Sequence, residues 1–522
     1  MRIVTGLAAS GKTSMLLREI AEKAEANRGR QILLVPELNS HQMERRLAAA
    51  THNHGARTAE VLTFSRLADR VFAVVGGLAQ QMLTPAGQLL TLQEAARRVQ
   101  VGLTAWSGLA DKPELLSETL ALIDECKSCM IEPETLFRAS EESALDEDAA
   151  LSAKLRDLAQ ILTQYDSLCE ETLPDPRDRL THLRDGLAES HVLDGAEVYL
   201  DGFLSYTPQE LAIIEVMLSS GVPLTAAVTC DVELPDVFVT GCRTLRTLTR
   251  MAERCSRRPE LVDLGAGKMP RPAGLAAVAN EALLPVRQAH EDASGVRLYE
   301  AASPFDECEH AAAYIRRKVR DEGAHYRDFV IAARDIGPYS ASLAMAMGRY
   351  DIPMFLADKP DLLSRPPMAL VIGALESVRS NFGCRELFGC LKTGLTGLAW
   401  DEIDRLENYA ITWKIHGAAW ERDWVEHPDG YGIPVDGAAQ MQLDELNELR
   451  ARAIAPFAAL RERLKGEQPS AECVRALYDF LLAVDAPRRM EERAAEHDAA
   501  GRLQLADEYR QLWEILVSAM EQ

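Results

Sequence analysis

The sequence predicts an α/β protein built on a doubly wound parallel sheet, and three observations carry that prediction. First, an apolar strand, Arg2-Ile3-Val4-Thr5, runs into Gly6-Leu7-Ala8-Ala9-Ser10-Gly11-Lys12-Thr13 and on into a helical pattern from Ser14 to Ile20. Second, the apolar run Gln31 to Glu37 is stopped by Pro36, as a buried parallel strand would be. Third, Ala59 to Ser65 reads as another strand and is followed by a helical pattern from Arg66 to Val75. Strand, helix, strand, helix, strand at this spacing is the βαβ pattern. At 522 residues the chain is too long for one core and predicts two to four domains.

From about 84 to 185 the pattern turns helical throughout, interrupted by an acidic stretch, 141–148, that reads as a solvated loop. The region 76–190 is therefore expected to be a helical insertion. The sheet resumes with the strand Ala196 to Asp201, the helix Pro208 to Leu218 and the strand Pro223 to Val228. A Gly/Pro/Arg-rich stretch, 265–272, reads as a linker or long loop, and its Gly-Ala-Gly-Lys is not a second P-loop. Beyond it, strands at Gly295 to Ala301 and Phe329 to Arg334, a short segment Ile352 to Phe355, and helices Asp306 to Glu322, one ending near Arg349, and Pro367 to Arg379 suggest a second α/β unit. From about 371 to the end the pattern is almost wholly helical. The expected division is 1–290, 291–370 and 371–522.

The glycine-rich loop carries the chemistry. Gly, four residues, then Gly-Lys-Thr lets backbone N–H groups at a helix N-terminus face a phosphate. Gly6, Ser10, Gly11, Lys12, Thr13 and Ser14 are the candidate ATP contacts, with Lys12 on the β/γ-phosphates and the Thr13 hydroxyl on Mg²⁺. Asp201, ending an apolar strand after the insertion, is the candidate second metal residue, against the alternative of an aspartate that opens a turn before Gly202. Motor ATPases of the helicase kind place a glutamate directly after this aspartate, and here Gly202 and Phe203 follow. Glu210 is the nearest carboxylate along the chain, and nothing in the spacing requires it to reach back. ATP binding with weak or absent turnover is expected, and no catalytic residue is assigned.

Ten cysteines scattered from 126 to 473 suit reduced thiols better than a disulfide framework, and Cys126 and Cys129 form the close pair. No apolar run approaches a membrane span, and no signal peptide precedes the first strand, so a cytoplasmic protein is expected. The net charge of −23 argues against wrapping nucleic acid over the whole surface. Residues 1–100, however, carry 13 Lys/Arg against 8 Asp/Glu, a local +5 that leaves −28 on the remainder. A local nucleic-acid path and a mixed-charge helical surface both fit this distribution.

Taken in order, several short motifs resemble the AddB family, the B components of bacterial AddAB helicase/nucleases and relatives of the UvrD-like superfamily 1 helicases. They are Gly6 to Thr13, Leu34 to Glu37, Val61 to Leu67, Leu200 to Phe203 with Thr207 to Glu210, Tyr326 to Phe329, Ile352 to Phe355 with Asp358-Lys359, Leu391 to Leu395, and Leu406 to Tyr409. The resemblance implies two RecA-like P-loop NTPase-type units with large helical insertions. It implies ATP and Mg²⁺ as cofactors, and as partner the AddA helicase in a heterodimer, which supplies the competent motor. It also implies double-stranded DNA ends and single-stranded DNA as substrates, in end resection for recombinational repair of double-strand breaks. The Asp-Gly-Phe at 201–203 fits a helicase whose motifs have decayed. Family members are considerably longer, so the chain is expected to be a truncated piece, with the nuclease and iron–sulfur residues outside it. Phe64, Ser65 and Arg66 are candidate DNA contacts, the ring stacking on a base and the hydroxyl and guanidinium on phosphate. The alternative reading puts Phe64 in the core and Arg66 on a helix surface. Two rival functions stay open, a stand-alone P-loop ATPase and a structural component with a vestigial P-loop.

Overall fold

Strands from the first half of the chain find one another in a single six-stranded sheet of order β3-β2-β4-β5-β1-β6, every neighbouring pair parallel. The computed structural model describes residues 1–51, 58–145, 148–265, 271–281, 289–356 and 362–521. They divide into two compact units, Met1–Leu298 and Tyr299–Gln522. In chain order the first holds β1 (Arg2–Gly6), α1 (Lys12–Glu25), β2 (Arg30–Leu34), α2 (Ser40–Ala50), β3 (Ala59–Leu62) and α3 (Phe64–Val75). The helices α4 (Pro85–Val99), α5 (Pro113–Ser128), α6 (Pro133–Leu145), α7 (Ala149–Glu171) and α8 (Arg179–Ser190) follow. The sheet is then completed by β4 (Ala196–Leu200), α9 (Pro208–Ser219), β5 (Leu224–Thr229), α10 (Val239–Arg254) and β6 (Glu260–Asp263), with α11 (Ala273–Glu281) after it.

The α/β reading holds, and the period-2 alternation of the strands explains the layering. Ile3, Ile32, Val198 and Ala226 face one layer, built from α3, α8, α9 and α10. Their neighbours Val4, Leu33, Tyr199 and Ala227 face the other, where Leu16, Leu17 and Ile20 of α1 pack. Central strands buried on both faces read as continuous apolar runs, which is why they were legible. β6 was not anticipated: it is a short edge strand, mostly exposed, and shows no apolar run. The insertion has its own core around Leu92, Ile123, Ile161, Leu162 and Tyr165. Thr63 closes β3 and caps α3, its hydroxyl accepting the Arg66 N–H at 3.2 Å, so the strand ends three residues earlier than expected.

The second unit contains α12 (Pro304–Glu322), α13 (Ser340–Arg349), α14 (Pro366–Arg379), α15 (Cys384–Leu391), α16 (Trp400–Thr412), α17 (Gly437–Arg463), α18 (Ser470–Ala483), α19 (Ala486–Ala499) and α20 (Leu503–Glu521). Its larger core surrounds the buried Trp420, with Tyr409 and Trp424 stacked at 4.4 Å. The strands expected at 295–301 and 329–334 do not form: among the described residues neither these nor the short segment 352–355 pairs in a ladder. Leu298, Val330 and Phe355 are at least nine-tenths exposed on them. Apolar alternation reports β-propensity, whereas a strand also needs a neighbour to take its backbone hydrogen bonds. Most of the linker at 265–272, Asp358-Lys359 and part of the acidic stretch lie outside the described residues.

Candidate nucleotide-binding site

Strand order brings three chain tips together. β4, β5 and β1 are consecutive neighbours, so Asp201 after β4, Thr229 ending β5 and the loop after β1 emerge at one edge of the sheet. The loop needs both of its glycines. Gly6 has φ +150°, and a methyl group there would stand 2.6 Å from Ser10 Oγ. Gly11, at φ +94°, caps α1 and accepts the Met15 N–H at 2.8 Å, in a conformation that a side chain would strain.

Lys12 is 9% exposed and donates from Nζ to the carbonyls of Gly6 at 2.7 Å and Leu7 at 2.8 Å, and more distantly to Ser10 Oγ at 3.5 Å. Burial lowers its pKa from the ordinary lysine value, against the opposing charge of Asp201. Asp201 is 4% exposed, and burial raises its pKa although Thr13, the Gly202 N–H, Arg46 and Lys12 all favour the carboxylate. Its Oδ2 has no hydrogen-bond partner among the described residues. A buried carboxylate oxygen lacking a donor, interacting with a threonine hydroxyl through the same carboxyl group, fits a hard cation with oxygen ligands. Thr13 and Asp201 therefore suit Mg²⁺. A cavity of about 420 Å³ is lined by residues 8–14, Arg46, residues 201–204, Ala227 and Thr229. Ser10, Gly11, Lys12, Thr13 and Ser14 all line it, while Gly6 does not and joins the site through its carbonyl, which accepts from Lys12 Nζ.

Sequence reasoning missed Arg46. It lies on α2, nearly two turns from the start of that helix, and reaches the cavity because β2, which leads into α2, is the neighbour of β4. The Arg45-Arg46 pair on the first helix after a buried strand was the available signal. Glu210 does not reach back. It forms a capping box, its carboxylate accepting the Thr207 N–H at 2.8 Å while its own N–H donates to Thr207 Oγ1 at 3.2 Å.

For the DNA candidates the structure corrects one reading. Phe64 is 5% exposed and packs edge-on against Phe203 at 5.7 Å, and Phe203 stacks on Tyr206 at 4.9 Å. The ring is core, unavailable to stack on a base in this arrangement, because it opens the buried face of α3. Ser65 and Arg66 are exposed on the same first turn, and the Arg66 guanidinium pairs with Glu44. The ten cysteines are free thiols, and Cys126 is packed into the insertion core.

A profile of the family described as ADDB, N-terminal, matches residues 3–268. Relatives that match over the whole of this chain include the B component of the ATP-dependent helicase/deoxyribonuclease of Desulforudis audaxviator, 32% identical, and that of Acetivibrio thermocellus, 30% identical. The chain accounts for 47% and 46% of those proteins, so it spans about half the length of the curated relatives it matches.

Proposed function

The chain belongs to the AddB family, and on that premise we propose that it is the nucleotide-holding and DNA-contacting part of a helicase/deoxyribonuclease component. In this reading ATP lies on Gly6, Ser10, Gly11, Lys12, Thr13 and Ser14, and Mg²⁺ is held by Thr13 and Asp201. The observation that carries it is the pair of buried, under-compensated charges facing one cavity: Lys12, bonded to neutral oxygens, and Asp201 with a bare Oδ2. A phosphate and a cation would satisfy both. When bound, Mg²⁺ supplies charge neutralisation on the phosphate oxygens, and the loop N–H groups and Lys12 orient the phosphates.

Turnover is proposed to be weak or absent. Asp201 is followed by Gly202 and Phe203, and Glu210 is engaged in its capping box, so neither position offers a carboxylate to orient an attacking water. The motor would come from an AddA-type helicase partner in a heterodimer. The substrates would be double-stranded DNA ends and the unwound single strand, in cytoplasmic end resection for recombinational repair, with Ser65 and Arg66 as backbone contacts. We further propose that 291–370 is part of a second RecA-like unit and 371–522 a helical insertion in it. Calorimetric titration with Mg-ATP tests the reading: saturable binding that Lys12→Ala weakens at least tenfold supports it. No binding by a folded sample would sink it in favour of a vestigial loop.

A further inference from the structure

α10 faces its own unit with Cys242, Leu245, Leu248, Met251 and Ala252, all buried. At 100° per residue, Arg243, Arg246, Arg250 and Arg254 fall within an arc of about 80° on the opposite side. All four are exposed. From Val239 to Arg258 the chain has six arginines and one acidic residue, Glu253, a local +5 in a protein of net charge −23. Arg254 pairs with Glu215 of α9 at 3.3 Å, and Arg257 Nε donates to the Leu218 carbonyl at 3.2 Å. Arg243, Arg246 and Arg250 have no ion-pair or hydrogen-bond partner among the described residues. Elsewhere in the chain arginines are commonly paired, as in Arg405 with Glu445, Arg452 with Glu402 and Arg463 with Asp479.

We propose that the Arg243, Arg246 and Arg250 stripe of α10 is a sequence-independent docking track for the phosphate backbone of duplex DNA, separate from the nucleotide site. Charge complementarity selects a polyanion. Arg243 to Arg250 rises about 10 Å at 1.5 Å per residue, an axial length over which one strand of a duplex presents roughly three phosphates. The stripe has arginine and, at Thr240 and Thr247, hydroxyl donors, with no aromatic ring on it. Single-strand grooves rely on aromatic stacking platforms, whereas backbone contact with a duplex needs donors and positive charge alone. The acidic residues in the preceding loop, Asp231, Glu233 and Asp236, lie at the N-terminal end of α10. They precede the basic stretch in the chain and leave Arg243 as its first arginine. The inference rests on the proposal that this protein works on DNA, and it is independent of whether ATP binds.

The test is fluorescence anisotropy of a labelled, hairpin-capped duplex with the whole chain across a salt series, using a triple Arg243→Gln, Arg246→Gln, Arg250→Gln variant. Glutamine keeps helix propensity on an exposed face, so the fold should survive. Removing three phosphate contacts is expected to weaken binding roughly tenfold or more and to reduce the steepness of log K against log salt by about 2.7. The matching triple Arg→Lys variant should retain most of that slope, since a point charge suffices. Binding of a fluorescent ATP analogue is read on the same samples. It should be unchanged in both triple variants and at least tenfold weaker in Lys12→Ala, so failure of the nucleotide site and failure of the track give different results. Duplex affinity and slope unchanged in the glutamine variant would overturn the proposal, as would a wild-type chain that does not bind duplex. Loss of a self-associated form by sedimentation, with duplex binding intact, would overturn it in favour of a second copy of this chain.

Discussion

Lys12 and Lys127 are each 9% exposed, yet they are held by opposite chemistry. Lys12 donates to backbone carbonyls, and burial lowers its pKa. Lys127, on α5 of the helical insertion, contacts Asp166 and Asp178 at 2.8 Å each and Asp175 at 3.6 Å. Burial disfavours its charge as well, but the acidic partners prevail and raise its pKa. The carboxylates come from α7 and from the turn leading into α8, so the pair network pins the insertion where it returns to the sheet. One lysine is neutralised from within and needs nothing more. The other lacks a strong anion and faces a cavity. Burial alone therefore does not distinguish a structural cation from a ligand-binding one; the identity of its partners does.

The strongest way to break this comparison is to remove the compensated lysine. Lys127→Met leaves buried Asp175 and its neighbours without their cation, an expected loss of about 3 kcal/mol, the low end for a broken buried pair because Asp166 and Asp178 are about a third exposed. The urea midpoint reads it, and a loss below about 1 kcal/mol would mean that the cluster behaves as a surface network. Because the folded pKa of Lys127 lies above 10.5, its stabilisation is present in full below that pH and is lost as pH rises through the folded value.

Lys12→Ala should do the reverse. Stability stays within about 1 kcal/mol, since the lost hydrogen bonds to neutral loop oxygens and attraction to Asp201 are offset by removal of a charge that burial disfavours. ATP affinity falls by about 1.5–3 kcal/mol, roughly 10- to 150-fold, as expected for a charge-assisted contact to phosphate. A large stability loss with ATP affinity preserved would equate Lys12 with Lys127 and remove the functional distinction.

Asp201→Asn sharpens the same point from the anionic side. A raised folded pKa means that Asp201 contributes stability fully present below pH 3.8 and lost as pH rises through the folded value, the opposite of a salt-bridged aspartate. The asparagine variant should be as stable as the parent or more so at neutral pH, by up to about 1 kcal/mol, with a shallower decline from acid pH. Its affinity for ATP should no longer rise with Mg²⁺. A marked loss of stability at neutral pH would show that the carboxylate is compensated after all.

Why the sequence disclosed some of this and not the rest follows from what each signal measures. Gly6, Gly11, Lys12 and Thr13 are close in sequence, and their spacing encodes a backbone path, so the loop was legible without tertiary information. Asp201 was legible because it ends an apolar strand. Arg46 and Thr229 join the cavity through the β2-β4-β5-β1 order, which local pattern does not encode. Phe64 could be read as a base-stacking ring because its burial depends on Phe203, far along the chain. The segments 295–301 and 329–334 satisfy strand composition but not the need for a neighbour, and composition cannot report a missing neighbour.

The smallest expected effect tests the claim that this site holds nucleotide without turning it over. Glu210 is a half-buried carboxylate, raised in pKa by desolvation, and by composition it is the kind of group that acts as a general base. Its geometry gives it another task, since its carboxylate accepts the Thr207 N–H and Thr207 returns the bond, satisfying two donors at the start of α9. Glu210→Ala should cost about 0.5–1 kcal/mol in thermal unfolding, the ordinary loss of a helix cap. Any residual phosphate release by the chain should be unchanged. A tenfold fall in release with ATP affinity preserved would make Glu210 part of a working hydrolytic site. The contrast between the two lysines would then separate a structural cation from a catalytic one, a stronger distinction than nucleotide holding.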